Sequence, residues 1–190
     1  MTYFTSDLHL GHENIIRFSN RPFSTLDEMN RTLVDNWNSR VTERDDVFVL
    51  GDMFYRKKEG VEEILKKLKG RKHLIIGNHD YSWMKSIELR KYFVETETLL
   101  VLKEEGRVMT LCHYPIMSWP HMYHGSYCIF GHIHNSANNA DYWPLIESNP
   151  YLLNAGVDVN NFYPVTFEEL KRNNEIFKEK ARETKQEIIT

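Results

Sequence analysis

Leu74-Ile75-Ile76 is an apolar run that stops at Gly77 and at once presents an amide, an imidazole and a carboxylate in Asn78, His79 and Asp80. A short apolar run bounded by glycine reads as a strand buried on both faces. In open α/β sheets, ligands gather at the carboxyl ends of such strands. Asn78 can offer a neutral carbonyl oxygen to a cation, His79 a proton near neutral pH, and Asp80 a hydrogen bond that holds the imidazole. Alone, the stretch reads equally well as a polar turn after a core strand. Its recurrence along the chain is what constrains the fold.

Tyr3-Phe4-Thr5-Ser6 runs into Asp7-Leu8-His9, and Val47-Phe48-Val49-Leu50 into Gly51-Asp52. Arg107-Val108-Met109-Thr110-Leu111 runs into Cys112-His113, and Ser126 to Phe130 into Gly131-His132-Ile133-His134. Asp7 with His9, and His132 with His134, alternate, so at the extended end of a strand each pair points to one side. If the five runs form one sheet, their ends converge, and satisfied core polar groups do not account for five such endings. His73 precedes its strand and reads as structural or surface.

Between these runs, Glu13 to Phe18 suits a short helix. A longer helix follows, with Thr25 and Glu28 at capping-box spacing and Leu26, Met29, Leu33 and Trp37 on one face. Gly60 to Lys69 carries Val61, Ile64, Leu65 and Leu68 at helical spacing, with Gly70 where a C-cap belongs. The order strand, helix, strand predicts a right-handed parallel crossover. Tyr81 to Tyr92 reads as a helix, Leu99 to Leu111 as a hairpin through Glu104-Glu105-Gly106, and Asn135 to Pro150 as a surface loop. Tyr151 to Asn154 suits a last strand. Thr166 onward suits a helix whose charged tail, from Lys171, reads as a solvated face.

A chain of 190 residues suits one domain spanning residues 1–190. With 27 acidic against 24 basic residues, the net charge of -3 argues against broad coverage of nucleic-acid phosphates. No apolar run approaches the roughly 20 residues that span a bilayer, and no basic, apolar segment leads the chain, so a cytoplasmic protein without membrane association is expected. Cys112 and Cys128 lie in or beside apolar runs and read as core thiols.

Asp7-x-His9, Gly51-Asp52, Gly77-Asn78-His79-Asp80, His113 and Gly131-His132-x-His134 closely resemble the calcineurin-like metallophosphoesterase superfamily. Asn154-Ala155-Gly156-Val157-Asp158-Val159-Asn160 with Tyr163-Pro164-Val165 resembles the ending of its small bacterial and phage members. Asp52 is followed by Met53-Phe54-Tyr55, without the second acidic residue many relatives carry there.

The resemblance implies an α/β fold, a four-layer β-sandwich flanked by α-helices, around two divalent metal ions. Asp7, His9 and His134 would hold the first ion and Asn78, His113 and His132 the second, with Asp52 bridging. Two dications against two carboxylates leave a positive cluster even with a bridging hydroxide, suited to binding a phosphate and to in-line displacement. The nitrogen- and oxygen-rich set favours manganese or iron, with zinc, cobalt or nickel as alternatives. His79 would donate a proton to the leaving group, with Asp80 orienting its ring.

Substrate contacts are assigned to His12, Asn14 and Arg17, which follow the first motif; Arg17 could reach a phosphate oxygen or be a solvated helix residue. The aromatic stretch Trp119 to Gly125, with His121 and His124, could stack a nucleobase or simply pack. The expected activity is hydrolysis of phosphodiester or phosphomonoester bonds in small, nucleotide-like substrates. The alternatives are a nuclease acting on DNA or RNA ends and a metal-binding scaffold without activity.

Overall fold

The computed structural model describes residues 1–56, 59–137, 139 and 141–189, with side chains through residue 184. Two four-stranded sheets lie at its centre. The first holds β1 (Thr2–Thr5), β2 (Asp46–Val49), β3 (Arg71–Ile75) and β4 (Phe93–Glu97) in that order, all parallel. The second holds β5 (Leu99–Glu104), β6 (Arg107–Cys112), β7 (Tyr127–Phe130) and β8 (Leu152–Asn154). There β5 and β6 form the expected antiparallel hairpin, and β6, β7 and β8 run parallel.

Alternation along the strands sorts their side chains into layers. Phe4, Phe48, Leu50 and Ile75 face Met109, Leu111, Ile129 and Leu153 between the sheets. On the outer face of the first sheet, Tyr3, Val47, Val49 and Leu74 pack with Leu33 and Trp37 of α2 (Leu26–Arg40) and Val61 and Leu65 of α3 (Val61–Lys67). On the outer face of the second, Cys128, Phe130 and Leu152 pack with Trp143 and Ile146 of α5 (Trp143–Ser148) and Phe177 of α6 (Phe167–Ile189). Helices, sheet, sheet and helices thus make the four layers. Both cysteines are buried and unbridged.

Short α1 (Glu13–Phe18) follows β1, and α2 begins where Thr25 accepts a hydrogen bond from the Glu28 amide, 3.2 Å away. The Glu28 side chain accepts from Ser24 N instead of completing a reciprocal box with Thr25. Because β2, α3 and β3 form a parallel unit, their carboxyl ends face the same edge.

Four sequence expectations change. Tyr81 to Tyr92 is not one helix: α4 covers Tyr81–Met84, a 3-10 turn covers Leu89–Lys91, and β4 follows unannounced. Ser86 Oγ donates to the Trp83 carbonyl at 2.6 Å, diverting the acceptor that a longer helix would use. Asn135 to Pro150 is not all loop, since α5 admits Pro144 in its first turn and buries Trp143 and Ile146. His73 lies within β3 and not ahead of it, between Asp46 (2.8 Å) and Glu95 (2.7 Å), in the structural role expected. Finally, the tail is more than a solvated face: Asn174 and Lys178 of α6 are buried, and Lys178 Nζ donates to the Asn149 and Leu152 carbonyls at 2.7 and 2.8 Å.

Candidate metal centre

The loops after β1, β2, β3, β6 and β7 meet at one edge of the sandwich, drawn from both sheets. After β1 and β2 the loops stay paired, with Asp7 N donating to Gly51 O (3.0 Å) and His9 N to Asp52 O (2.9 Å). Strand alternation does not aim these side chains. Asp7, His9, Asp52, His132 and His134 all have positive φ, between 51° and 70°. The extended geometry expected for Asp7 with His9 and for His132 with His134 is therefore replaced by left-handed turns, a conformation uncommon outside glycine and frequent at functional sites.

These turns leave no spare room. A Cβ on Gly131 would overlap the Ser6 hydroxyl, and one on Gly51, at φ +85°, would overlap His113 Nδ1. The glycines ahead of Asp52 and His132 are thus required by close approach.

Two groups of potential ligands result: Asp7, His9 and His134 in one, and Asp52, His113 and His132 in the other, each with its ligand atoms within 4.8 Å of one another. Asp52 Oδ2 lies between the groups, 3.6 Å from His9 Nε2 and 3.5 Å from His113 Nε2. Asn78 joins the second group, its Oδ1 3.1 Å from His113 Nε2.

The donor set fits divalent cations. Among the described residues, buried His9 Nε2 has no hydrogen-bond partner, which would be a cost without a ligand for its lone pair. Burial, with His134 beside it, holds the His9 imidazole down to about 2, so it is neutral. Burial would push Asp52 up, but the hydrogen bond and charge of His113 and the His79 amide carry it down to about 2. Asp7 is raised by burial and pulled back by His134 and His113. Burial lowers His113, yet Asp52, Asp7 and the Leu50 carbonyl lift it to about 9.

A second ring of residues, not singled out from the sequence, sets the orientation. Asp158 accepts from His134 Nδ1 at 2.8 Å and pairs with buried Arg21 at 2.8 and 3.0 Å. Arg21 also donates to the Asp7 carbonyl at 2.7 Å and the Leu8 carbonyl at 3.0 Å. Asn154 Nδ2 holds the His134 carbonyl at 2.7 Å, and Asn174 Oδ1 of α6 receives the Asn154 amide at 2.7 Å. Asn154 and Asp158 lay in the quoted terminal motif; Arg21, 137 residues from Asp158, carried no local signal.

Asp80 does not orient His79. Its two oxygens accept N–H groups of Asp52 (2.9 Å), Met53 (3.0 Å), Gly77 (2.8 Å) and the Trp83 indole (2.8 Å). Those four donors fill the carboxylate, making it a clamp between the β2 and β3 loops. His79 donates its backbone N–H to Asp52 Oδ1 at 2.9 Å, and its half-exposed ring stands edge-on to Tyr55 at 5.0 Å.

The expected substrate residues are scattered. Buried His12 stacks flat on Tyr55, 3.6 Å between centroids, with its Nδ1 3.4 Å from His9 Nδ1. Asn14 is exposed on α1, and the Arg17 guanidinium lies over the Phe18 ring at 5.3 Å, so neither joins the two groups. Trp119 is buried, its indole N–H bound to Ser126, and cannot stack a base; in that stretch the rings of His121, Tyr123 and His124 are exposed.

A model of the calcineurin-like phosphoesterase family matches residues 2–189. The chain belongs to that family. It is similar to the uncharacterized protein MJ1445 of Methanocaldococcus jannaschii, 36% identical over 168 residues, which cover 87% of this chain and 86% of that protein. Gene 66 protein of Mycobacterium phage L5 is 39% identical over 82 residues, 42% of this chain and 39% of the phage protein. Among solved structures, the protein of unknown function AQ665 from Aquifex aeolicus superposes with a TM-score of 0.69 at 26% identity, covering 90% of this chain and 98% of that one. The chain thus presents two candidate metal-ligand groups within a metal-dependent family. Among its described residues, no helix is long and apolar enough to cross a membrane.

Proposed function

We propose that this chain hydrolyses phosphodiester or phosphomonoester bonds of small, nucleotide-like substrates at a dinuclear metal centre. The observation that carries the reading is one carboxylate oxygen, Asp52 Oδ2, placed between two ligand groups, beside a buried and unpartnered His9 Nε2. In this reading Asp7, His9 and His134 hold one ion, Asn78, His113 and His132 the other, and Asp52 both. Manganese or iron suits the nitrogen and oxygen donors. When bound, two divalent ions supply Lewis acidity toward phosphoryl oxygens and lower the pKa of water.

The chain's own residues do the rest. Asp158 and Arg21 fix the His134 ring so that Nε2 points at the cluster. His79, tied by its backbone to Asp52 and with its ring partly in solvent, delivers a proton to the leaving-group oxygen. Tyr55 and His12 form the wall against which that ring rests.

Protein reconstituted with manganese, iron, cobalt, nickel or zinc is expected to hydrolyse bis-p-nitrophenyl phosphate or p-nitrophenyl phosphate. Inactivity on both with every ion contradicts the reading. His79→Ala should keep its metals and lose about 10²-fold in turnover on esters with poor leaving groups; undiminished turnover there removes the acid role.

A further inference from the structure

Beside the ligand groups, two depressions share Phe18, Ser19, Asn135 and Ser136 in their walls and so form one groove. The inner part, about 410 Å³, is bounded by His9, His79 and His134; the outer, about 670 Å³, runs on to Lys180 and Ala181 of α6. Phe18 stands where the two parts join, edge-on to the His12 ring at 6.3 Å, and leaves 65% of its surface in water, an unusual place for a large apolar ring.

We propose that this groove binds the organic arm of the substrate, a nucleoside followed by a second phosphate, with the base on Phe18 and the phosphate at Lys180. The assignment rests on the phosphoester reading above and deepens it. An exposed ring accepts any base through its π-face, and the Arg17 guanidinium, 5.3 Å from the Phe18 centroid, puts positive charge beside it. Exposed Asn20 offers a neutral amide to the edge of a base, and Asn135, whose Nδ2 donates to the Ser19 carbonyl at 3.0 Å, offers its Oδ1. Phe177, Lys180, Ala181 and Thr184 fall on one face of α6, and the small Ala181 and Ala137 keep the channel wide. Among the described residues the Lys180 ammonium has no ion-pair partner, so its charge is available at the outer end. A lipid chain would find too many polar groups here, and a minimal phosphate ester would not reach Lys180.

The probe is a 2-aminopurine dinucleotide with a terminal phosphate and a non-hydrolysable phosphonate linkage, titrated into manganese-loaded full-length protein. Stacking on Phe18 should quench its fluorescence. Phe18→Ala should weaken binding about tenfold, and Lys180→Glu several-fold with a shallower salt dependence. Both side chains are exposed, so neither change threatens folding. With a p-nitrophenyl ester of the same dinucleotide, Phe18→Ala should raise KM more than it lowers kcat. Affinity unchanged in both variants overturns the groove assignment. Binding that depends on Phe18 and Lys180 in a protein that cleaves no phosphoester with any ion supports the groove and contradicts the catalytic reading instead.

Discussion

Around Asp7, His9 and His134, support comes from side chains spread over the molecule. Arg21 after α1, Asp158 near the end of the sandwich and the Asn154–Asn174 pair to α6 each hold part of that group. Around Asp52, His113 and His132 it comes mostly from backbone: His113 Nδ1 bonds the Leu50 carbonyl at 2.8 Å, and one carboxylate, Asp80, gathers three loop amides. His132 and Asn78 of this half are exposed, and Asn78 offers only a neutral donor. The first half is thus a distributed, buried frame. The second is an open face hung on a single clamp, and it should hold its ion less tightly.

The sharpest break comes from the residue that belongs to both halves. Asp52→Ala should lower turnover by about three orders of magnitude or more, with loss of metal from both groups measured in the purified protein. Retention of one full equivalent would show that the halves are independent. Asp80→Ala removes the common acceptor of four buried donors and should cost roughly 3 kcal/mol or more in urea unfolding. Asn174→Ala should cost less stability, because the frame around it has other ties; equal losses would erase the distinction between clamp and frame.

Asp158→Ala should weaken the tighter ion by about 10- to 100-fold, the usual effect of losing the partner of a ligating histidine. Asn78→Ala should weaken only the looser one. The smallest effect lies at the outer edge of the frame. Burial holds the Lys178 ammonium down to about 8, against an ordinary value of 10.5. Between those values the unfolded chain carries a proton the folded chain has given up, so this group makes stability rise with pH over that window. Lys178→Met should remove the rise. Cys128, pushed up to about 12 by burial, lowers stability above its ordinary value of 9 in both proteins, and the difference between their unfolding curves isolates Lys178.

What sequence disclosed follows the same division. Strand runs buried on both faces and their abrupt polar endings were legible, because burial forces an uninterrupted apolar pattern and ligands must follow it. The left-handed turns at Asp7, His9, Asp52, His132 and His134 were not, since nothing in a D-x-H or H-x-H spacing distinguishes an extended arm from a turn. Edge strand β4 was missed because Phe93–Glu97 is largely polar and half exposed. Asp80 was assigned to His79 by adjacency, whereas its acceptors serve amides brought in from 27 and 28 residues away. Arg21 and Asp158 gain meaning only once the fold places them together.

Electron paramagnetic resonance of the manganese-loaded protein addresses the shared carboxylate most directly. Two ions held by one Asp52 oxygen should give the signal of a magnetically coupled pair, lost in Asp52→Ala. A single ion, or two that do not sense each other in the unaltered chain, would contradict a centre built around that residue.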